Sequence, residues 1–364
     1  MKKIALIGST GSIGRQVVEV VKRYPGEYEL CALVAFSDEA SLMEQVRDVK
    51  PAFYALAGSD AKKAMTAPCL EDADMVFNAS GGFAGLEYSL TALKAGKVLA
   101  LANKESLVCG GGLVMSYVRN GAVVLPVDSE HSAIWQCLNF DMKAPVRRLI
   151  ITASGGAFRD MPAERLKSVT PEQALMHPTW KMGAKITVDS ATLMNKGYEV
   201  IEAHMLYGTP YSQIETVIQP QSIIHSLAEF TDGSVLAQMS YPTMEVPIQL
   251  ALSYPRRLRE AVRPMDFTKA FSLDFKPLDE GKYPCFGLAL QCGREGGTLP
   301  CVLNAGDEIA VKAFLDGRIS FTDIYRVTAD TVNSFCREDA ESFEQLRAVD
   351  AEARSRAKSI IDRL

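Results

Sequence analysis

No apolar run in this 364-residue chain is long enough to cross a bilayer as a helix. None of its eight cysteines forms a C-x-x-C pair. That spacing indicates neither a zinc site nor a disulfide framework, and reduced thiols are the simplest account. There is no basic excess either: 39 Lys and Arg stand against 44 Asp and Glu, a net charge of -5. Nucleic acid and anionic membrane surfaces are therefore not the expected partners. Internal repeats and low-complexity segments are missing. The opening Met1-Lys2-Lys3-Ile4 enters a strand without a signal-peptide apolar region, so a cytoplasmic location is expected. What remains is a globular composition, 48% hydrophobic and 23% charged, in a chain long enough for two or three domains.

Lys3 to Gly8 reads as a short apolar strand. Gly8-Ser9-Thr10-Gly11-Ser12-Ile13-Gly14 follows, then a helix with Ile13, Val17 and Val21 at helical spacing. Strand, glycine turn and helix are the context of a dinucleotide fingerprint, in which backbone N–H groups and the helix N-terminus approach a pyrophosphate. The spacing here is G-x-x-G-x-x-G. A second strand, Leu30 to Phe36, ends at Ser37-Asp38, where such folds place the ribose-binding residue. Phe53 to Ala57, Met75 to Ala79, Val98 to Ala102 and Val123 to Val127 continue as strands between segments of helical spacing. That alternation predicts a parallel sheet wrapped by helices. Two strand ends carry polar residues, Asn78-Ala79-Ser80-Gly81-Gly82 and Ala102-Asn103-Lys104-Glu105, on the rim that would face a cofactor. Lys104 is either a site residue there or a solvated loop lysine.

After Val127 come Asp128, Ser129, Glu130 and His131. If the chain stays extended, Asp128 and Glu130 point the same way at a strand's carboxyl end, where oxygen ligands suit Mg²⁺ or Mn²⁺. The competing reading has them capping a helix that begins near His131. Arg148 to Ala153 is another strand. Ser154-Gly155-Gly156 then opens a proline-interrupted stretch that runs to Gly183 and holds His177 and Trp180. A stretch of that length with glycine ends suggests a lid, while a tryptophan is also a common core anchor. Asp189 or Ser190 is placed to cap the next helix, on which Asn195 and Glu199 share a face. Ser190, Asn195 and Lys196 offer the donors a phosphate dianion needs, and Glu199 could complete a carboxylate trio with Asp128 and Glu130. Each could equally sit on a solvated helix surface. Ile223 to Phe230 and Ser234 to Ser240 predict a hairpin through Thr231-Asp232-Gly233, and the last third reads as a small helical bundle.

Together these segments resemble the 1-deoxy-D-xylulose 5-phosphate reductoisomerases over essentially the whole chain. The resemblance rests on Gly8 to Gly14, Ala102 to Ser106, Pro126 to His131, Ser154 to Gly156, His177 to Trp180 and Met194 to Glu199, in the family's order. It implies an α/β chain with an N-terminal Rossmann-like parallel sheet, a central α/β catalytic domain with an antiparallel edge, and a C-terminal helical bundle. The implied divisions are an NADPH-binding domain over 1–127, a catalytic and connective domain over 128–254 with a lid at 155–183, a linker over 255–280, and a helical domain over 281–364. Asp128, Glu130 and Glu199 would hold Mn²⁺ or Mg²⁺. Ser154, His177, Ser190, Asn195 and Lys196 would take the phosphate and nearby hydroxyls of a phosphosugar, with Lys104, Ser129, Glu130, Trp180 and Glu199 completing the pocket. Lys104 and Glu130 would be catalytic. Thr10, Gly11, Ser12, Ile13, Phe36, Ser37, Asp38, Asn103, Glu105 and Gly183 would line NADPH. A homodimer through the central sheet is implied, with neither nucleic acid nor membrane as partner.

The implied reaction is isomerisation of 1-deoxy-D-xylulose 5-phosphate and reduction of the resulting aldehyde to 2-C-methyl-D-erythritol 4-phosphate, in non-mevalonate isoprenoid synthesis. One departure stands out. The family commonly has a Gly-Lys/Arg-Asn type sequence after the second strand, against the 2′-phosphate of NADPH, whereas this chain has Phe36-Ser37-Asp38. A smaller preference for NADPH is expected from that loss. Two other readings fit the N-terminal half alone: a plain NAD(P)-dependent dehydrogenase of the hydroxy-acid or homoserine type, and a non-catalytic dinucleotide sensor. Neither requires the carboxylate trio.

Overall fold

The structure is a computed structural model that describes residues 1–142, 144–259 and 262–364. In chain order its elements begin with β1 (Lys2–Ile7), α1 (Ser12–Arg23), β2 (Tyr28–Ala35), α2 (Glu39–Val49), β3 (Phe53–Leu56) and α3 (Ala61–Ala64). There follow β4 (Met75–Asn78), α4 (Gly85–Lys94), β5 (Val98–Leu101), α5 (Glu105–Arg119), β6 (Val124–Pro126), α6 (Ser129–Cys137) and β7 (Val146–Ala153). Next are α7 (Pro171–Ala174), α8 (Ala184–Thr192), α9 (Met194–Tyr207), β8 (Ile214–Ile218), β9 (Ile224–Phe230), β10 (Val235–Met239) and α10 (Glu245–Ser253). The two-residue strand β11 (Lys276–Pro277) precedes helices α11 (Pro284–Glu295), α12 (Leu299–Leu315), α13 (Asp323–Asn333) and α14 (Phe343–Ile361).

These elements form two compact units. The first comprises Met1–Ser106, Gly112–Ser132 and Thr243–Pro264. Its six strands run parallel in the order β3-β2-β1-β4-β5-β6. Because crossover helices cover both faces of such a sheet, its inner strands are apolar nearly throughout. Leu30 to Ala35 of β2 and Met75 to Phe77 of β4 are buried without a break. Strand order reverses at β1, so the crevice at the carboxyl ends of β1 and β4 is where a ligand of such a fold binds.

The second unit comprises Leu107–Gly111, Ala133–Pro242 and Met265–Leu364. Its five-stranded sheet has the order β10-β9-β7-β8-β11, with β7 and β8 parallel and the other pairs antiparallel. One face packs Leu149, Ile151 and Ala153 against Leu193, Val200 and Ala203 of the α8–α9 region. A second core joins Val311 and Phe314 of α12, Ile324 and Val327 of α13, and Ile360 of α14.

Four local expectations are corrected. The chain is not extended through Glu130: β6 stops at Pro126 and α6 opens at Ser129, so strand alternation does not aim the two carboxylates. Asp189 and Ser190 cap nothing, since α8 is already helical from Ala184, and the break falls at Leu193 with φ 57°. Ile214–Ile218 is a strand paired with β7, where the sequence reading places no element before the hairpin at Ile223. The stretch from 157 to 174 is not a free loop, because Phe158, Leu166, Val169 and Ala174 are buried in the helical core.

Candidate active site

In the first unit the glycine turn is fixed by close approaches. Gly8 has φ +81°, and a Cβ there would come 2.4 Å from the Ala79 carbonyl oxygen. A Cβ on Gly14 would come 2.1 Å from the Gly8 carbonyl oxygen. Neither position can carry a side chain, and their bareness lets α1 begin directly over the end of β1. Gly11 is the N-cap of α1, with no side-chain capping bond. That helix end can take an anionic group on backbone N–H donors, and Thr10, Gly11, Ser12 and Ile13 surround it.

The end of β2 lies beside this turn, since Gly8 N–H and Ser9 N–H both donate to the Val34 carbonyl. Phe36 there is 73% exposed. Asp38 is the N-cap of α2, its Oδ1 accepting from Ser41 N–H at 3.0 Å. Arg15 of α1 donates to the Asp38 carboxylate at 3.1 Å, to Ser41 Oγ at 2.9 Å and to the Thr10 carbonyl at 2.7 Å. Hydrogen bonding from Ser41, with the Arg15 guanidinium beside it, holds the Asp38 carboxyl below the usual carboxylate range. Arg15 was not among the expected site residues. It lies one position past the glycine motif, and only the folded chain reveals its neighbour 23 residues on.

At the end of β5, Asn103 is 1% exposed and its amide donates to the carbonyls of Ser80 and Gly82 and to Glu105. Its side chain therefore shapes the rim by joining the loops after β4 and β5. Lys104, 9% exposed, pairs with Asp128 at 2.9 Å. It is not a solvated loop lysine. Asp128 stands just before α6, and Glu130 lies in its first turn, where the helix dipole favours negative charge. Ser129 Oγ donates to the Glu130 carboxylate at 2.5 Å.

The second unit carries the other half of the expected set. His177 Nδ1 accepts from the backbone N–H groups of Thr179 and Trp180, at 3.2 and 2.9 Å. Nδ1 is thus unprotonated, and Nε2–H donates to Ser154 Oγ at 2.9 Å. Burial, helped by the positive charge of Arg159, pushes the His177 pKa down to about 4, so the ring is neutral near pH 7. Ser154 Oγ also accepts from Gly156 N–H at 3.2 Å. With both acceptor positions used, the Ser154 hydroxyl hydrogen is available to a ligand.

Gly156 has φ +68°, and a Cβ there would meet the Ser190 carbonyl oxygen at 2.5 Å. The Ser154 turn thus lies against the end of α8 that bears Ser190. The Leu193 break then starts α9, whose first turns carry Asn195, Lys196 and Glu199. Asn195 Nδ2 donates to the Glu199 carboxylate at 2.5 Å, and the Lys196 ammonium pairs with its other oxygen. Lys196 and Glu199 are 4% and 1% exposed, which rules out a solvated surface. Trp180 is half-buried, its ring edge-on to His225 at 6.0 Å, so it is not a core anchor. Gly183 is the N-cap of α8.

A further ionic cluster in the second unit lies outside the expected set. Lys185 bridges Asp189 at 2.5 Å and Asp307 of α12 at 2.8 Å, and the Tyr198 hydroxyl approaches Asp307 at 3.4 Å. Burial, and then the charge of Asp307, push the Asp189 carboxyl well above its ordinary range. The Lys185–Asp189 spacing is legible as an ion pair only once 184–192 is known to be helical.

The first unit, with its parallel sheet, glycine turn and uncapped helix end, is of the dinucleotide-dependent oxidoreductase class. Comparison with known proteins narrows this. The family model described as 1-deoxy-D-xylulose 5-phosphate reductoisomerase matches residues 4–70 and 56–111. That of its C-terminal domain matches 124–207, and a further one, DXP reductoisomerase C-terminal domain, matches 239–356. The 1-deoxy-D-xylulose 5-phosphate reductoisomerase of Geobacillus kaustophilus is 45% identical, covering 99% of this chain and 100% of its own length. That of Synechocystis is also 45% identical, covering 97% and 96%. Among solved structures, a DOX-P reductoisomerase in complex with NADPH, fosmidomycin and magnesium superposes with a TM-score of 0.92 at 35% identity, covering 100% of this chain and 98% of that one. The Zymomonas mobilis enzyme in complex with NADPH gives 0.91 at 38% identity, with both chains fully covered. This chain belongs to the 1-deoxy-D-xylulose 5-phosphate reductoisomerase family. Among the described residues, no helix is long and apolar enough to cross a membrane.

Proposed function

We propose that this chain isomerises and reduces 1-deoxy-D-xylulose 5-phosphate to 2-C-methyl-D-erythritol 4-phosphate, using NADPH and either Mn²⁺ or Mg²⁺. The observation that carries the reading, beside family membership, is the start of α9, where a buried Lys196 and a buried Glu199 share one helix face with Asn195. Buried charges are costly, and such a group is retained where a charged ligand uses it.

The glycine turn fits a dinucleotide, because side chains are excluded at Gly8 and Gly14 and α1 opens without a side-chain cap. Asp128, Glu130 and Glu199 offer only carboxylate oxygens, the donors a hard divalent cation prefers. Bound there, the cation would supply a Lewis acid to polarise the substrate ketone, and a bound nicotinamide would supply the hydride. The chain's own residues bind, orient and shield. Ser154 donates its hydroxyl hydrogen to the phosphate, with neutral His177 holding the Ser154 oxygen in place. Ser190, Asn195 and Lys196 add donors, and the N-terminal end of α9 adds its dipole. Lys104 and Glu130 move protons at the substrate hydroxyls, and Ser129, bonded to Glu130, orients that carboxylate. Trp180 covers the carbon chain, so phosphate binding energy closes the site and excludes water.

The cofactor lies along Thr10 to Ile13, Phe36 to Asp38, the rim held by Asn103 and Glu105, and Gly183. Functionally the chain divides into cofactor binding over 1–127, catalysis and connection over 128–254, a linker over 255–280 and a helical support over 281–364. The working form is a homodimer through the sheet of the second unit. Its edge strand β10 supports this, with Val235 and Leu236 exposed at 47% and 51%. All eight cysteines are free thiols, which suits the reducing cytoplasm. The test is NADPH oxidation in the presence of 1-deoxy-D-xylulose 5-phosphate, with and without a chelator. Oxidation that stops with the chelator and returns with added Mn²⁺ is expected. Insensitivity to chelation favours a plain dehydrogenase.

A further inference from the structure

Asp38 at the end of β2 is, on charge alone, the wrong residue for NADPH. An acid in that place accepts a hydrogen bond from the ribose 2′-hydroxyl of NADH, and it repels a 2′-phosphate. Phe36 and Ser37 supply no compensating cation. The folded chain brings one from elsewhere.

We infer that Arg15 of α1 reads the adenosine 2′-phosphate, in place of the basic residue missing from the end of β2, and that Asp38 holds Arg15 there. The inference rests on the NADPH-dependent reading above and names the residue that gives it cofactor specificity. Three features of the geometry support it. Arg15 Nε is tied to the Thr10 carbonyl at 2.7 Å, so the guanidinium is anchored to the same turn that would receive the pyrophosphate. Its Nη2 bonds Asp38 and Ser41 at 3.1 and 2.9 Å, placing the group at the mouth of β2, where the ribose of a dinucleotide lies. Its Nη1 donates to no described residue and faces the remaining direction of the fork. A guanidinium fixed along one edge and open along the other is suited to a phosphate, whose oxygens match its planar donors.

Asp38 is spent in the same arrangement. One carboxylate oxygen caps α2 through Ser41 N–H, and the other accepts from Arg15. Both oxygens are thus engaged, and the Arg15 charge beside the carboxylate offsets its repulsion of a 2′-phosphate. Ser41 Oγ accepts from Arg15 and so helps hold the guanidinium beside Asp38. The Arg15 and Asp38 side chains are 55% and 43% exposed, so a ligand can reach the pair and salt can screen it.

Direct binding tests this without turnover. Dissociation constants for NADPH and NADH are measured on the full chain by nicotinamide fluorescence, for the wild type, Arg15→Ala, Arg15→Lys, and Arg15→Ala combined with Ser37→Arg. Loss of a charged phosphate contact should weaken NADPH binding by about tenfold or more. NADH binding should stay within about twofold of wild type, since no 2′-phosphate is involved. Arg15→Lys should fall between, Ser37→Arg should recover part of the loss, and the salt dependence of NADPH binding should flatten in Arg15→Ala. An unchanged NADPH to NADH ratio in Arg15→Ala overturns the inference. So does an equal loss for both cofactors, which makes Arg15 part of the turn's scaffold. Either result leaves the catalytic reading intact as long as the wild type oxidises NADPH with the substrate. A wild type that does not do so defeats that reading instead.

Discussion

Replacing Gly156 by alanine should loosen the substrate half of the site by a predictable amount. The residue stands at φ +68°, a region where a Cβ costs roughly 1–2 kcal/mol. The added atom would also lie 2.5 Å from the Ser190 carbonyl oxygen and 2.7 Å from the Ala191 Cα, both backbone atoms. Backbone cannot rotate away as a side-chain tip can, so the turn must move, at about 1–3 kcal/mol for overpacking. Alanine restricts the unfolded chain and returns about 0.4–1 kcal/mol. The net loss is about 1–5 kcal/mol, which for a unit of roughly 200 residues lowers Tm by about 2–18 °C. The same shift separates Ser154 from Ser190. A misplacement near 1 Å can cost up to about a hundredfold, so KM for the phosphosugar should rise by about tenfold or more. NADPH affinity should hold, because the glycine turn belongs to the other unit. Thermal unfolding and steady-state kinetics on the purified variant measure all three. A Tm within 2 °C of wild type with an unchanged KM would refute the argument that this turn is pressed against α8.

Glu199→Gln removes a carboxylate from the proposed metal set and leaves Lys196 with a neutral partner, so metal affinity and kcat should fall while NADPH affinity holds; unchanged metal titration and activity would remove Glu199 from the site. His177, held near 4 against 6.5 in the unfolded chain, gives a signed pH effect. Below pH 6.5 the unfolded chain takes up a proton that the folded chain refuses, so this contribution is complete above 6.5 and is lost as pH falls towards 4. After solvent screening it amounts to about 1–2 kcal/mol, and His177→Asn should flatten the denaturant-measured slope over that window. Trp180→Ala should lower kcat/KM without a large fall in Tm, and proteolysis between Leu175 and Lys181 should slow when a substrate-like phosphonate binds; equal cleavage with and without the ligand counts against closure.

Much of the first unit was legible because its strands are buried on both faces. Runs such as Leu30 to Ala35 have no other plausible structure, and they fell within a residue or two of the observed bounds. The hairpin of β9 and β10 was marked by Thr231-Asp232-Gly233. Asn195 and Glu199 were readable as one face because helical spacing alone decides it. What escaped depends on tertiary context. β8 is short and carries Glu215, whose partner Arg148 sits on the neighbouring strand. The break between α8 and α9 falls on Leu193, a residue with no special tolerance for positive φ, so no local signal announces it. Without that break, Asp189 and Ser190 look like caps. The stretch after Gly156 looked loose because its apolar residues are spaced irregularly, yet Phe158 packs edge-on against Phe321 at 5.1 Å. The role of Arg15 beside Asp38 required the register of β1 on β2.

The central claim is a stoichiometric one. With the purified chain, Mn²⁺ or Mg²⁺, NADPH and 1-deoxy-D-xylulose 5-phosphate, the product is followed by NMR while cofactor oxidation is followed by absorbance. One 2-C-methyl-D-erythritol 4-phosphate should form for each NADPH consumed, and both should stop when the metal is chelated. NADPH oxidised without that product, or product formed at full rate in the presence of chelator, would contradict the account.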